Sequence, residues 1–212
     1  MKKCIFGSIN HNTKTLYIVN HKAANTTILN VLKKYGYEDR KTMSLDITDL
    51  NYIFTFVRNP YDRLLSRYIH MKYYFLQEKD RPKTLNLGPA VLPSLKEYFK
   101  YHNLKFREDN FIFSKFVEFT EDNFDVHWEP QTNKFISAVA SLDKIDFIGK
   151  FENLQQDFNT VCDKIGIPRQ KLPHKNQSQH KHYTEYYDEE TREIVAKKYA
   201  RDIEYFGYKF GE

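Results

Sequence analysis

Lys22 is the residue whose surroundings most strongly suggest chemistry. It stands in a short polar loop, residues 21–25, that interrupts the segment LYIVNHKAANTT running from Leu16 to Thr27. Leu16, Tyr17, Ile18 and Val19 are apolar, mostly β-formers and too few for a helix, so they read as a buried strand within 14–20. From Thr26 the spacing changes: Ile28, Leu29, Leu32 and Tyr35 recur at three- and four-residue steps, which predicts a helix over 26–36 stopped by Gly36. A strand, a loop of small residues (Ala23, Ala24, Asn25) and a helix N-terminus make a phosphate site, because backbone N–H groups point outward there and the helix dipole favours an anion. Lys22 adds a full positive charge, and Thr26 and Thr27 add hydroxyls. The loop is therefore read as holding the 5′-phosphate side of a nucleotide. Taken singly, Lys22 fits a surface lysine equally well, and the two threonines fit N-caps. Capping and phosphate binding use the same orphan N–H donors, so for the threonines the two readings merge.

A second cationic position follows the apolar run YIFTFV, Tyr52 to Val57, which reads as another buried strand. Arg58-Asn59-Pro60 closes it, and Pro60 suits the first turn of a helix, where its missing N–H costs nothing. That helix is amphipathic: Tyr61, Leu64 or Leu65, Tyr68, Met71 or Lys72, and Phe75 line one face, while Arg63, Ser66, Arg67, His70 and Tyr74 line the other. Arg58 can offer a bidentate fork and Ser66 a hydroxyl to one phosphate. The plainer alternative is an arginine on strand-end carbonyls and a serine facing water. A solvated face is the expectation for Arg63 and Arg67.

These positions need a scaffold, and the rest of the chain supplies one. Residues 3–10 read as a leading strand or turn beside the central strand, and 37–51 as polar and irregular. Residues 78–93, with Pro82, Gly88, Pro89 and Pro93, read as a surface excursion. Helices are expected near 94–102 and 110–119, then a polar segment from Thr120 to Asn133 holding the lone tryptophan within DVHWEPQ. A short strand at 146–149, a helix over 153–165, a basic histidine-rich loop over 168–182 and a last helix capped by Asp188 and stopped by Gly207 complete the order. Strands alternating with helices give an α/β fold: a central parallel sheet flanked by helices, P-loop-like, in one domain spanning 1–212.

Composition narrows the function classes. A net charge of +5 suits an anionic ligand but is modest for a dedicated nucleic-acid binder, so no nucleic-acid partner is expected. Two cysteines, Cys4 and Cys162, make neither a disulfide framework nor a metal set. Gly7 and Ser8 break the apolar start, and no segment reaches membrane-spanning length, so the expectation is a soluble, cytoplasmic protein. The loop around Lys22 lacks the paired glycines and final lysine-serine or lysine-threonine of a Walker A motif, which argues against a Mg²⁺-dependent P-loop NTPase.

Three segments, in order, resemble the carbohydrate sulfotransferases, the family of chondroitin, dermatan and HNK-1 sulfotransferases and their bacterial relatives. HKAANTT resembles their 5′-phosphosulfate loop, FVRNPYDRLLSRY their 3′-phosphate motif, and FIGKFENL with the closing YYDEETREIVAKKYARDIEYFGYKF their C-terminal third. The first departs from the commoner form, with His21 where proline usually precedes the lysine and Asn25 where glycine or a small residue is frequent. The resemblance implies transfer of a sulfonate from PAPS (3′-phosphoadenosine 5′-phosphosulfate) to a hydroxyl of a glycan acceptor, leaving PAP, with no metal. It implies that Lys22, Ala23, Ala24, Asn25, Thr26 and Thr27 hold the 5′ side and that Arg58 and Ser66 hold the 3′-phosphate. It also implies that Lys181 and Tyr183, in HKNQSQHKHY (174–183), approach the phosphates or adenine from a lid; by polarity alone that segment is a flexible loop.

Such a transfer needs a base for the acceptor proton, and histidine has the suitable pKa. His127 in DVHWEPQ is the first choice, since it matches an HW-containing stretch of these enzymes; packing of the Trp128 loop is the competing role. His70 is second, and Glu129 and Glu152 are further options. Lys22 would stabilise the charge that grows on the bridging oxygen as the phosphate leaves. A metal site from His174, His180 and His182 lacks suitable ligand geometry. The rivals are an ATP-dependent sugar or small-molecule kinase, which would need carboxylates for Mg²⁺, and a basic, aromatic nucleic-acid-binding module, whose aromatics here fall mostly on apolar stripes.

Overall fold

A computed structural model describes residues 3–79, 91–173 and 181–212. In chain order the strands are β1 (Lys3–Asn10), β2 (Thr15–Ile18), β3 (Glu38–Leu45), β4 (Tyr52–Val57) and β5 (Phe147–Lys150). The helices are α1 (Asn25–Leu32), α2 (Pro60–Lys79), α3 (Val91–Tyr101), α4 (Phe113–Asp122), α5 (Gln131–Val139), α6 (Leu154–Ile165), α7 (Glu189–Lys198) and α8 (Ala200–Phe206). They belong to two compact units, one of residues 1–58 and 130–177, the other of 59–129 and 178–212.

The first unit contains the sheet, in the order β3-β1-β2-β4-β5. β2, β4 and β5 are parallel, with Ile18 opposite Thr55 and Val57 opposite Lys150. β1 runs antiparallel to both β2 and β3. The α/β class and the central parallel strands are as expected, and the antiparallel β1 makes the sheet as a whole mixed. The leading strand over 3–10 is present as β1, whereas the stretch read as irregular contains β3. Among the described residues that strand is an edge strand, paired with β1, so it needs no apolar run to hold its place.

On one face of the sheet Tyr17, Val19, Phe54 and Phe56 pack against Ile28, Val31 and Leu32 of α1 and Phe158, Val161, Cys162 and Ile165 of α6. Leu16, Ile18, Ile53 and Val57, which alternate with them, are buried too, as parallel strands covered on both faces require. Gly149 in β5 faces Phe56 across this pairing, and a Cβ there would lie 2.4 Å from the Phe56 ring. Phe56 is fully buried and has little room to yield. Gly149→Ala is therefore expected to destabilise the protein by about 1–3 kcal/mol through overpacking. A urea midpoint unchanged from wild type would contradict this.

The second unit is helical around an aromatic core. Tyr68 stacks on Phe111 at 4.8 Å and meets Phe113 and Phe116; Trp128 meets Phe116 and Phe119 edge-on. α2 starts at Pro60 as the sequence predicts, and α7 is fixed by a reciprocal cap between Asp188 and Thr191. The single last helix of the sequence reading is broken at Tyr199 into α7 and α8, and Gly207 ends it in the left-handed conformation (φ 64°). Of the expected surface excursion at 78–93, residues 80–90 lie outside the described residues, while 78–79 continue α2 and 91–93 begin α3. Residues 174–180 of the expected lid also lie outside them.

Candidate functional site

Because β2 and β4 are neighbours and parallel, the segments leaving their C-terminal ends emerge side by side, where open α/β sheets place their ligands. The segment after β2 is the Lys22 loop, and the residue after β4 is Arg58. Asn20 anchors the loop: its side-chain amide donates to the Phe56 carbonyl at 2.9 Å and to Gln131 Oε1 at 2.7 Å. Ala23 N–H then turns back to the Asn20 carbonyl at 3.3 Å. Lys22 (φ 69°) and Ala24 (φ 58°) both sit in the left-handed region. For residues with a Cβ that conformation costs about 1–2 kcal/mol each. Alternating left-handed residues in a short turn aim successive N–H groups into one concavity, which is an anion-binding arrangement.

The start of α1 reinforces it. The cap position falls on Ala24, and no side chain caps the first turn. Thr26 and Thr27 thus are not N-caps; they lie one and two residues inside a helix that begins at Asn25, Thr26 exposed and Thr27 buried. The N–H groups of Asn25, Thr26 and Thr27 have no intrahelical acceptor, as at any helix start. His21, the departure from the usual proline, stacks on Phe6 at 5.3 Å and accepts a hydrogen bond from Lys134 Nζ at 2.7 Å on Nδ1. The direction follows from the ammonium, which can only donate. His21 thereby ties a second lysine, from α5, to the loop.

Arg58 is 9% exposed and is held by several neighbours. Gln131 bonds both its backbone groups, accepting from N–H and donating to C=O at 3.0 Å each. The guanidinium lies over the Phe151 ring, 4.2 Å from its centre, and Nη1 donates to the Lys22 carbonyl at 3.3 Å. The structure therefore brings together Lys22 and Arg58. Part of the plainer reading is also realised, since one Arg58 donor serves a backbone carbonyl. Phe151 and Gln131 were missed by sequence reasoning. The signal for Phe151 was its position just past β5, the third parallel strand, inside FIGKFENL.

In the second unit, Ser66 is half-buried on α2, and its neighbours overturn one expectation: Arg63 and Arg67 do not form a solvated face but are each 1% exposed. Arg63 Nη1 donates to the Glu129 carbonyl at 2.9 Å. Arg67 lies near Asp125 (Nη2 to Oδ2, 3.7 Å), His70 Nδ1 (3.5 Å) and the face of Trp128. Burial pushes its guanidinium down to about 10, with Asp125 offsetting part of that.

His127 sits on a turn closed by Trp128 and Glu129 N–H bonds to the Asp125 carbonyl, at 3.0 and 2.9 Å. Trp128 is pinned by its indole N–H to Asn123 O and by Tyr199 Oη to its carbonyl. Asp125 Oδ1 accepts from His127 backbone N–H at 2.8 Å and meets the ring Nδ1 at 2.6 Å. Burial opposes the charge on Asp125, but the two His127 hydrogen bonds and Arg67 outweigh it and hold the carboxyl well below the usual carboxylate range. Of the other base candidates, His70 lies beside Arg67, Glu129 is half-buried and Glu152 is exposed.

The remaining expected contacts fall elsewhere. Lys181 is an exposed side chain paired with Glu185 at 3.1 Å. Tyr183, expected near the phosphates or adenine, is instead a core residue, 4% exposed. Its hydroxyl accepts from Gly211 N–H and donates to the Glu212 carbonyl, at 2.6 and 3.1 Å. Among the described residues, no group of three or more His, Cys, Asp or Glu side chains is arranged to hold a metal ion, and no helix is long and apolar enough to cross a membrane.

Comparison with known proteins fits this arrangement. A family model described as "Sulfotransferase family" matches residues 8–209 and so runs through both units. Human "Carbohydrate sulfotransferase 9" is 27% identical over 219 residues, which is 95% of this chain but 43% of that protein. An uncharacterized protein of Archaeoglobus fulgidus is 30% identical over 118 residues, 56% of this chain and 70% of that one. The chain thus spans less than half the length of the human relative. No solved structure matches it significantly.

Proposed function

This chain belongs to the sulfotransferase family, and from that premise we propose that it moves a sulfonate from PAPS to a hydroxyl of a carbohydrate, by in-line displacement, within one domain spanning 1–212. The observation that supports the donor assignment is that the left-handed loop at Lys22–Ala24 and Arg58, which donates to the Lys22 carbonyl, follow adjacent strand ends. PAPS carries phosphate on both sides of its ribose, so it needs two anion sites, whereas a simple nucleotide needs one.

In this reading Ala23 closes the turn through its bond to Asn20, and the N–H groups of Ala24, Asn25, Thr26 and Thr27 and the Thr26 hydroxyl hold the 5′-phosphosulfate. Arg58 and Ser66 take the 3′-phosphate, and Lys181 approaches the phosphates or adenine. His127 accepts the acceptor's hydroxyl proton at Nε2, the freed oxygen attacks sulfur, and the bond from sulfur to the bridging phosphate oxygen breaks. Lys22 stabilises the charge that appears on that oxygen, an interaction stronger in the transition state than before it. The carbohydrate acceptor is supported by the resemblance to the human carbohydrate sulfotransferase.

The test is a panel of glycans incubated with ³⁵S-labelled PAPS and the full chain. Label transferred to at least one glycan, with PAP as the other product, is the expected result. Label that moves only to non-carbohydrate hydroxyls would remove the acceptor assignment, and failure with every acceptor class would remove the donor.

A further inference from the structure

Asp125 has no part in the roles above, yet its surroundings are those of a built site. Both carboxylate oxygens are engaged: Oδ1 by the backbone N–H and ring Nδ1 of His127, Oδ2 by the Ser94 hydroxyl at 2.9 Å and, further off, by Arg67 at 3.7 Å. The groups come from three elements, α2, α3 and the turn before Trp128, so the chain has spent several separate segments on one carboxylate. Arg67 is 1% exposed, and its Nε and Nη2 have no hydrogen-bond partner among the described residues. Burying an arginine so incompletely satisfied is costly, and the cost is offset mainly by the charge of the carboxylate it faces.

We propose that Asp125 is a positioning residue for the base: it fixes His127 in the tautomer with the proton on Nδ1, so that Nε2 is the nitrogen that receives the acceptor's proton, while Arg67 and Ser94 hold the carboxylate in place. This rests on the reading of His127 as the base. An ionised carboxylate can only accept, so the 2.6 Å contact with Nδ1 requires the ring proton there. The low pKa of Asp125 keeps it ionised through the working pH range. The backbone bond from His127 N–H to the same oxygen fixes the ring's swing as well as its tautomer. When Nε2 takes the proton, the Nδ1 proton stays where it is and the carboxylate balances the imidazolium charge.

Three measurements test this. In wild type, ¹⁵N NMR of the His127 ring should show Nδ1 protonated and Nε2 bare; the opposite tautomer overturns the proposal, with no variant needed. Asp125→Asn should lower kcat by roughly 10²- to 10⁴-fold, as expected when a base loses its orienting carboxylate, with the KM for PAPS unchanged and the tautomer bias lost. In the His127→Ala background, Asp125→Asn should cost nothing more. A further large loss there would mean that Asp125 serves the fold instead. Wild-type kcat in Asp125→Asn with an inactive His127→Ala would overturn the proposal while leaving His127 as the base. An active His127→Ala would overturn the base assignment itself.

Discussion

Lys22→Ala is expected to lower kcat by about 10²- to 10³-fold or more, the range found when a group that meets developing negative charge is removed. The fold should barely notice. Lys22 is at φ 69°, and alanine carries the same left-handed penalty as lysine, so the exchange changes the charge and leaves the backbone strain alone. kcat and kcat/KM should fall together, because the interaction is made in the transition state. Single-turnover transfer from labelled PAPS, with a melting curve beside it, measures both. A raised KM with kcat within a few-fold of wild type would make Lys22 a ground-state contact and take away its leaving-group role.

Arg58→Ala should instead act mainly on binding. Losing charge-assisted hydrogen bonds to a phosphate, each worth about 1.5–3 kcal/mol, should weaken PAP by roughly 10- to 100-fold and leave AMP almost untouched. Alanine also removes the bond to the Lys22 carbonyl and the cover over Phe151. Arg58→Lys separates these effects, because it keeps the charge and loses the planar fork. A substantial loss of PAP affinity in Arg58→Lys is expected from fork recognition. Equal losses for PAP and AMP in both variants would show that Arg58 only braces the loop.

Much of this arrangement could be read from local pattern. β4 coincides with the apolar run Tyr52–Val57, α2 starts at Pro60, and the loop after β2 lies where the apolar run stops. What escaped depends on partners distant in sequence. The charged positions Arg63 and Arg67 look like a helix's wet face, yet their partners, Glu129 and Asp125, arrive from another segment and draw them into the interior. The same holds for Arg58, whose supports, Phe151 and Gln131, lie far along the chain. β3 escaped for a different reason, since an edge strand held by backbone pairing leaves little trace in hydropathy. Asp125 was visible two residues before His127, but nothing local marks it as the carboxylate that holds the ring. Tyr183 was assigned to the nucleotide by family likeness, whereas packing with Phe210 and Tyr187 puts it in the core.

The pairing of Lys22 with Arg58 makes one demand above the others: the protein must distinguish a ribose phosphorylated on both sides from one phosphorylated on the 5′ side alone. Isothermal calorimetry of the full chain with PAP and with AMP reads this directly. The account predicts that PAP binds at least about tenfold more tightly, the worth of one charge-assisted hydrogen bond; equal affinity for the two, or binding of neither, would contradict it.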